Sequence, residues 1–222
     1  ERIKPIARTL VDLFDSPSTS LKLSRFDAPR LADALGEGKI EPGRPIEVEV
    51  GCADAQFLFE RAAQDPSRHY VGLEIRDELV DWVNKKAAAT GAPVVAVFCH
   101  AQKHLAEVFA PASIARVYVN FPDPWFKRRH AERRMVDDEL VTGLASRLAP
   151  GADVFMQTDV WDLALAGLEA FEGRDVWYAN QAGPWTFWRA GNPFGVRSWR
   201  EQNAEETGLP IWRMRFTRTA AP

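Results

Sequence analysis

The sequence predicts an α/β fold, in which a doubly wound, mostly parallel sheet carries a late antiparallel strand. Two observations support this prediction. Apolar runs of strand length alternate with helical patterns from residue 46 onward. Five such β–α units follow in order, and consecutive units of this kind join by right-handed crossovers. A last strand-like run follows a long segment that lacks periodicity.

The strands are predicted from apolar runs bounded by turn residues or polar residues. These runs comprise residues 46–50, 70–75, 94–99, 114–119, 152–157 and 211–216. The helices are predicted from apolar residues three or four positions apart, and Gly91 and Pro150-Gly151 mark two helix ends. Their apolar positions are Phe57, Leu58 and Ala62; Leu79, Trp82, Val83 and Ala87; Leu105, Val108 and Phe109; Leu140, Leu144 and Leu148; and Leu163, Leu165, Leu168 and Phe171.

Length and composition indicate one domain over residues 1–222, with a lead-in at 1–45, a core at 46–173 and a late segment at 174–222. No apolar run approaches the roughly 18 residues that span a bilayer, and no secretory signal is visible, so we expect a cytoplasmic protein without a membrane partner. The two cysteines, Cys52 and Cys99, lie in or beside apolar runs and are expected to be reduced and buried.

The most informative stretch of the chain is Asn120 to His130, which reads NFPDPWFKRRH. Pro122 and Pro124 flank Asp123 and restrict its backbone, so this acid is predicted to sit rigidly just beyond the fourth strand. Ligands of open α/β sheets bind at that edge. Because Asp beside Pro is also common in turns, a purely structural role for Asp123 is the alternative.

A basic run follows that acid. Residues 127–134 contain five Lys or Arg residues against one acid, a local balance of +4 in a chain whose net charge is −3. Such a run is often a solvated helix start, but its position favours a grip on phosphates. The residues concerned are Lys127, Arg128, Arg129, Arg133 and Arg134.

Two acids at strand ends favour a nucleoside ligand. Glu49 precedes Gly51 in the turn after the first strand, and Glu74 ends the second strand, where an acid can bind both hydroxyls of a ribose. The turn has only one glycine, and Ala53 and Ala55 are expected to resist positive φ. Strand-end acids that are merely solvated are the alternative.

The late segment is rich in tryptophan and arginine, which is the composition of a surface that stacks bases and holds phosphates. The alternative is that these rings roof the sheet. The residues are Trp177, Trp185, Trp188, Trp199 and Trp212, interleaved with Arg189, Arg197, Arg200, Arg213 and Arg215. Cys99, His100 and His104 lack a fourth ligand at suitable spacing, so no metal site is expected.

These motifs resemble the bacterial tRNA (guanine-N7)-methyltransferases, a family of Rossmann-like class I enzymes that use S-adenosylmethionine. The resemblance covers about residues 47–216 and is most specific at 121–130, where Arg133-Arg134 continues the motif. Thr158-Asp159 matches the family at its spacing, and Ser198-Trp199-Arg200-Glu201 stands where the family has Thr-x-Phe/Tyr-Glu. The resemblance implies methyl transfer from S-adenosylmethionine to N7 of a guanine in the variable loop of tRNA.

The resemblance also implies residue roles. Asp123 would be catalytic, and Glu49, Gly51, Glu74, His100 and Asp123 would bind the cofactor. Lys127, Asp159, Ser198, Trp199, Arg200 and Glu201 would hold the guanosine, while Arg128, Arg129, His130, Arg133 and Arg134 would contact RNA. The sequence departs from the family at Ala53 and Ala55, at His100 in place of the acid that reads the adenine amine, and at Ser198 in place of Thr.

Two other functions stay open on the sequence alone. One is methylation of an exocyclic amine or a small molecule, since Pro-Asp-Pro-Trp also resembles the motif of amine methylators. The other is a catalytically weakened tRNA-binding module, in which the altered turn no longer serves the cofactor. The sequence leaves the oligomeric state, monomer or homodimer, undetermined.

Overall fold

The computed structural model describes residues 41, 43–123 and 135–219, which form a sheet with helices on both faces. Seven strands lie in the order β3-β2-β1-β4-β5-β7-β6. β1 to β5 are parallel, and β7 runs antiparallel to both β5 and β6. The strands are β1 Ile46–Val50, β2 His69–Glu74, β3 Val94–Phe98, β4 Ile114–Asn120, β5 Leu148–Thr158, β6 Tyr178–Asn180 and β7 Trp212–Arg218.

Six helices are described. Five of them connect the parallel strands or follow β5, as the alternating pattern predicts, and the sixth lies in the late segment. We number them α1 Gln56–Gln64, α2 Asp77–Thr90, α3 Ala101–Val108, α4 Asp138–Arg147, α5 Trp161–Glu172 and α6 Trp199–Glu206. None of these helices combines the length and apolar character needed to cross a bilayer.

Local chemistry explains several helix ends. Gly91 stops α2 in the left-handed conformation, with φ of 68°, which glycine adopts without steric cost. Asp137 accepts the backbone N–H of Leu140 at 2.9 Å and so caps the start of α4. Ser198 caps α6 in the same way through the N–H of Glu201.

The sheet buries both of its faces. One face carries Val48, Val117 and Val154 against α3, α4 and α5, and the other carries Tyr70, Tyr118 and Phe155 against α1, α2 and the late segment. The strand order reverses between β1 and β4, so the carboxyl ends of these two strands open the crevice in which such folds bind ligands.

The structure confirms the predicted α/β class and the late antiparallel strand, and corrects some helix details. Leu148 is the first residue of β5 and does not belong to the preceding helix. The buried stripe of α2 is Val80, Val83 and Ala87. Trp82 is exposed instead, and its ring lies under the ammonium group of Lys86. Both β6 and α6 lie in the segment that the sequence left without regular structure.

Candidate active site

The carboxyl ends of the parallel strands bring together most of the predicted site residues that the structure describes. Glu49 is the penultimate residue of β1, Glu74 ends β2, His100 follows β3, Asp123 follows β4 and Asp159 follows β5. Parallel strands share one carboxyl edge, so residues as distant in sequence as 49 and 159 line the same rim.

The turn after β1 is left-handed at three of its residues. Gly51 has φ of 73°, Ala53 of 50° and Ala55 of 53°. The expectation that both alanines resist positive φ is therefore wrong. Ala55 is held by a bond from its own N–H to the Cys52 carbonyl at 2.7 Å, and the Ala53 N–H is held by Glu74. One local and one tertiary hydrogen bond thus hold a conformation that the alanine methyl groups disfavour.

Glu74 organises this turn. Its buried carboxylate accepts the N–H of Ala53 at 2.9 Å and the N–H groups of Ile75 and Arg76 at 3.0 and 3.1 Å. The guanidinium of Arg76 binds both carboxylate oxygens at 2.9 and 3.1 Å. The hydrogen bonding of Arg76 to the Glu74 carboxylate is the main reason that the pKa of Arg76 is raised. An acid fixed in this way at the end of β2 is where a ribose would be read.

Glu49 is a buried acid with one unused oxygen. Oε1 accepts Asn120 Nδ2 at 2.8 Å, whereas Oε2 has no partner among the described residues. Burial raises the pKa of Glu49 to about 8, opposed by the Asn120 hydrogen bond and assisted by the nearby charges of Asp54 and Glu74. A buried carboxylate with a free oxygen at a crevice is suited to a cationic ligand group.

His100 is the residue before α3 and offers a second unused acceptor. Its Nδ1 is buried without a partner in the part of the chain that the structure describes. Burial lowers the pKa of His100, and the nearby charges of Lys103 and His104 lower it further. The ring is therefore neutral near pH 7, and a neutral imidazole nitrogen can accept a hydrogen bond from an amine.

Asp123 leaves the sheet through a strained residue. Phe121 has φ of 49°, a left-handed value that is rare for a bulky side chain, and donates its N–H to the Gln157 carbonyl at 2.8 Å. Pro122 is buried and Asp123 is exposed. The charge of Asp123 contributes to the raised pKa of Arg76, the residue that pairs with Glu74.

The end of β5 meets the start of α6. Asp159 forms an ion pair with Arg200, and its side chain is largely buried by this contact. The Ser198 oxygen accepts the N–H of Glu201, which leaves the hydroxyl hydrogen for another acceptor. Trp199 is 59% exposed beside them. Four of the predicted guanosine contacts, Asp159, Ser198, Trp199 and Arg200, therefore lie together.

Glu201 differs from these neighbours because its carboxylate is fully buried. Oε2 accepts Gln157 Nε2 and Asn192 Nδ2, each at 2.8 Å, and Oε1 accepts Arg213 Nη2 at 2.9 Å. All three partners are side chains of the sheet or of the late segment. Glu201 thus fastens α6 onto the sheet in this structure.

Two polar rows, which the sequence did not reveal, cross the sheet face under the late segment. The first row joins Glu49, Asn120, Gln157 and Arg213 on β1, β4, β5 and β7. The second row joins Glu47, Arg116, Asp153 and Arg215 on the same four strands, at 2.9 to 3.1 Å. Polar residues at alternate positions of otherwise apolar strands are the signal that could have identified them.

The late tryptophans and arginines divide between surface and interior. Trp185 and Trp199 are exposed, as a stacking surface requires, whereas Trp177, Trp188 and Trp212 are partly buried. Arg213 and Arg215 point into the two polar rows, and Arg215 lies over the Trp188 ring. Several of these side chains therefore roof the sheet, as the alternative interpretation holds.

Some predicted residues lie outside the described ranges. They are Lys127, Arg128, Arg129, His130, Arg133 and Arg134. Within the described ranges, no three His, Cys, Asp or Glu side chains are grouped as a metal ion would require. Cys52 and Cys99 are buried free thiols, and burial raises the pKa of both.

The residues at the crevice fit S-adenosylmethionine. Two buried polar atoms without a partner in the described ranges, Glu49 Oε2 and His100 Nδ1, suit the cationic end and the adenine amine of this ligand. Gly51 has φ of 73°, which glycine adopts without steric cost, and the Met135 methyl group fills the space that a Cβ would occupy.

The sheet order and the acids at its carboxyl edge together indicate a Rossmann-like methyltransferase. Solved structures agree on the fold. The 16S rRNA (adenine(1408)-N(1))-methyltransferase from Catenulisporales acidiphilia matches with a TM-score of 0.56 and 17% identity, over 89% of this chain and 95% of that chain. The 16S rRNA methyltransferase KamB matches with a TM-score of 0.55 and 16% identity, over 79% and 88%.

Sequence relatives then give the family. A family model described as "Putative methyltransferase" matches residues 43–214. The tRNA (guanine-N(7)-)-methyltransferase of Parasynechococcus marenigrum (strain WH8102) is 36% identical over 90% of this chain and 86% of its own length. That of Synechococcus sp. (strain JA-3-3Ab) is 36% identical over 77% and 71%, and that of Nostoc sp. (strain PCC 7120) is 34% identical over 81% and 82%. The chain belongs to the tRNA (guanine-N7)-methyltransferase family, which confirms the prediction from its motifs.

Proposed function

We propose that this protein transfers a methyl group from S-adenosylmethionine to N7 of a guanine in the variable loop of tRNA. The observation that carries the proposal is the strand order. The switch point lies between β1, which carries Glu49, and β4, which Asp123 follows, and the pair of Asp159 and Arg200 stands at the end of the adjacent β5.

The chemistry needs position more than proton transfer. Guanine N7 has an in-plane lone pair and carries no proton, so no general base is required. When bound, S-adenosylmethionine supplies an electrophilic methyl group. The remaining task of the protein is to align the base and to favour its growing positive charge. Asp123 is exposed just beyond the end of β4, and a carboxylate beside the bound base would stabilise that charge.

The cofactor side uses the residues with unused acceptors. Glu49 would accept from a cationic group through Oε2, Glu74 would hold the ribose hydroxyls, and His100 would accept from the adenine amine through Nδ1. Gly51 would let the backbone approach. For Glu74 to bind a ribose, the guanidinium of Arg76 would have to share or leave the carboxylate.

The guanosine side uses the cluster at the start of α6. Trp199 would stack on the base, Arg200 and Asp159 would fix its edge, and the Ser198 hydroxyl would donate to it. Direct contact by Glu201 would require one of its buried partners to give way, so its role as a contact stays a prediction. Lys127, Arg128, Arg129, His130, Arg133 and Arg134 would hold the RNA, the arginines and lysine chiefly through phosphates.

The broader assignments follow from this function. The substrate is tRNA, and we expect the enzyme to act in the cytoplasm. We propose that residues 46–173 bind the cofactor and that residues 174–222 bind the substrate, in either a monomer or a homodimer.

The direct test is mass spectrometry of the nucleosides of a tRNA transcript after incubation with S-adenosylmethionine. We expect 7-methylguanosine from the wild type and none from a transcript with 7-deazaguanosine in the variable loop. Asp123→Asn, which keeps the shape and removes the charge, should lower the rate at saturating cofactor by about 100-fold, a loss of about 2.7 kcal/mol. Asp138→Asn, which changes an exposed carboxylate on α4, is the matched control.

Each rival function has its own outcome in this experiment. A methylated exocyclic amine would indicate an amine methylator, and unmethylated tRNA together with no binding heat for S-adenosylhomocysteine would indicate an RNA-binding module. Equal 7-methylguanosine yields from the wild type and Asp123→Asn would remove Asp123 from the mechanism.

A further inference from the structure

Gln157 sits at the centre of the first polar row. It is fully buried on β5, and its side chain contacts a residue of each adjacent strand. Nε2 donates to Asn120 Oδ1 at 3.0 Å and to Glu201 Oε2 at 2.8 Å, and Oε1 accepts Arg213 Nε at 3.1 Å. Every hydrogen-bonding group of this amide except the second lone pair of its oxygen is used.

All hydrogen bonds within this row are donated in the same direction along the row, from β7 toward β1. Arg213 donates to Gln157, Gln157 donates to Asn120, and Asn120 donates to Glu49 Oε1 at 2.8 Å. Because a guanidinium can only donate, Arg213 fixes the orientation of the Gln157 amide, and Glu49 Oε1 accepts at the other end whether the carboxyl is ionised or carries its proton on Oε2. Bonds aligned in this way polarise one another, and their buried setting keeps that effect strong.

The two carboxylates that Gln157 links belong to opposite sides of the site. Glu49 faces the cofactor crevice, and Glu201 holds the helix that carries Trp199 and Arg200. We propose that Gln157 is a positioning residue, which keeps the cofactor acceptor Glu49 and the guanosine-binding helix in register through one hydrogen-bonded row. This inference rests on the proposed function and identifies a residue that the family motifs do not mark.

The proposal makes Glu49 sensitive to a residue that it does not touch. Without Gln157, the Asn120 oxygen loses its donor and the amide is no longer held with its N–H toward Glu49. The ionised form of Glu49 then loses support, while Asp54, Glu74 and the Cys52 thiol that face it are unchanged. The pH at which Glu49 ionises should rise, and the pH dependence of cofactor-product binding should move with it.

The test measures S-adenosylhomocysteine affinity by calorimetry between pH 6 and 9, and tRNA kinetics at saturating S-adenosylmethionine. Gln157→Met keeps the length of the side chain and removes its hydrogen bonds. We expect its midpoint for S-adenosylhomocysteine binding to lie on the order of half a pH unit above that of the wild type, with KM for tRNA raised about tenfold. Gln157→Asn keeps an amide on a side chain that is too short to reach all three partners. We therefore expect its midpoint to shift in the same direction as that of Gln157→Met.

Asn192→Ala is the matched control, because Asn192 donates to the same oxygen of Glu201 and has no bond to the row. It should raise KM for tRNA and leave the midpoint of S-adenosylhomocysteine binding in place. An unmoved midpoint in both Gln157 variants, or an equal shift in Asn192→Ala, would overturn the proposal. A wild type that binds S-adenosylhomocysteine but makes no 7-methylguanosine would instead overturn the proposed function.

Discussion

Phe194 meets Tyr118 edge to face, with ring centroids 4.9 Å apart and planes at 89°. Phe155 also packs on the Phe194 ring, with centroids 5.1 Å apart, and the guanidinium of Arg116 lies 4.8 Å from the centroid of Phe194. Arg61, which lies on α1, donates to the Phe194 carbonyl at 3.0 Å. Phe194 is therefore the apolar anchor of the late segment, between the two polar rows.

Replacing Phe194 with alanine should release that segment from the sheet. Truncation of a buried phenylalanine costs about 3–5 kcal/mol in general, and here part of the loss should appear as local opening. We expect a lower Tm, faster amide exchange in α6 and a higher KM for tRNA, while S-adenosylhomocysteine still binds. Phe187→Ala, which alters a partly buried ring beside Trp161 and Trp212, is the control. Unchanged exchange in α6 would contradict the anchoring role.

Glu49 should make cofactor binding depend on pH. A carboxyl with a pKa of about 8 is mostly protonated at pH 6.5, and only its ionised form attracts a cationic ligand group. We expect S-adenosylhomocysteine to bind on the order of tenfold more tightly at pH 8 than at pH 6.5, with proton release that calorimetry detects as a buffer-dependent heat. Glu49→Gln should bind weakly and without this pH dependence. A pH-independent affinity in the wild type would contradict the assigned ionisation.

Raising the pH should lower the contribution of Glu49 to folding stability, although it strengthens cofactor binding. The folded protein holds the Glu49 proton up to about pH 8, whereas the unfolded chain releases it near pH 4.5. The stabilising effect is thus full below pH 4.5 and is lost as the pH rises through 8. Glu49→Gln stays neutral throughout, so its Tm relative to that of the wild type should increase between pH 5 and pH 9. Thermal melts across this range test the expectation, and parallel curves would contradict it.

The strained turn after β1 offers a stabilising substitution. Ala53 is partly exposed with φ of 50°, so Ala53→Gly removes a steric cost and little buried surface. We expect a gain of roughly 0.5–1 kcal/mol in the free energy of unfolding, from the balance of relieved strain and added chain entropy. Ala55→Gly is the matched comparison, because Ala55 is fully buried and the lost methyl contact offsets the relief. Denaturant titration measures both, and a destabilised Ala53→Gly would contradict the assignment of strain.

Glu47 should be essential to the second polar row. Its carboxylate is fully buried and contacts Arg61, Arg68, Arg116 and the Tyr118 hydroxyl, the last at 2.7 Å. Glu47→Gln would leave the arginines without their shared anion, at a cost of about 3 kcal/mol. Asp138→Asn breaks an exposed pair with Arg174 and should cost under about 0.5 kcal/mol. Similar losses in the two variants would argue against the row as a stabilising unit.

The sequence predicts the first five strands well because they are buried on both faces and read as apolar runs between turn residues. The motif around Asp123 was also visible, since proline restricts the backbone locally. In contrast, α6 was missed because only Glu201 and Ala204 of this polar helix are buried, so it has no apolar periodicity. The pair Ser198 and Glu201 has the spacing of a capping box, which is the signal that could have located its start.

The two polar rows could not be predicted, because they depend on which strands become neighbours. Gln157 and Arg213 lie 56 positions apart in sequence and pair only when β7 enters beside β5. The left-handed alanines are a similar case. Local propensity opposes their conformation, and the Ala53 N–H bonds to Glu74 on another strand, although the Ala55 N–H bonds locally to the Cys52 carbonyl.

The position of β7 has a consequence for how the molecule is made. This strand comes last among the described elements, yet it lies between β5 and β6, and it supplies the arginines that end both polar rows. Until Arg218 has left the ribosome, β5 therefore presents a bare edge, Glu201 lacks the guanidinium of Arg213, and Asp153 is paired with Arg116 alone. A nascent chain interrupted before this strand would be a ready target for chaperones and proteases.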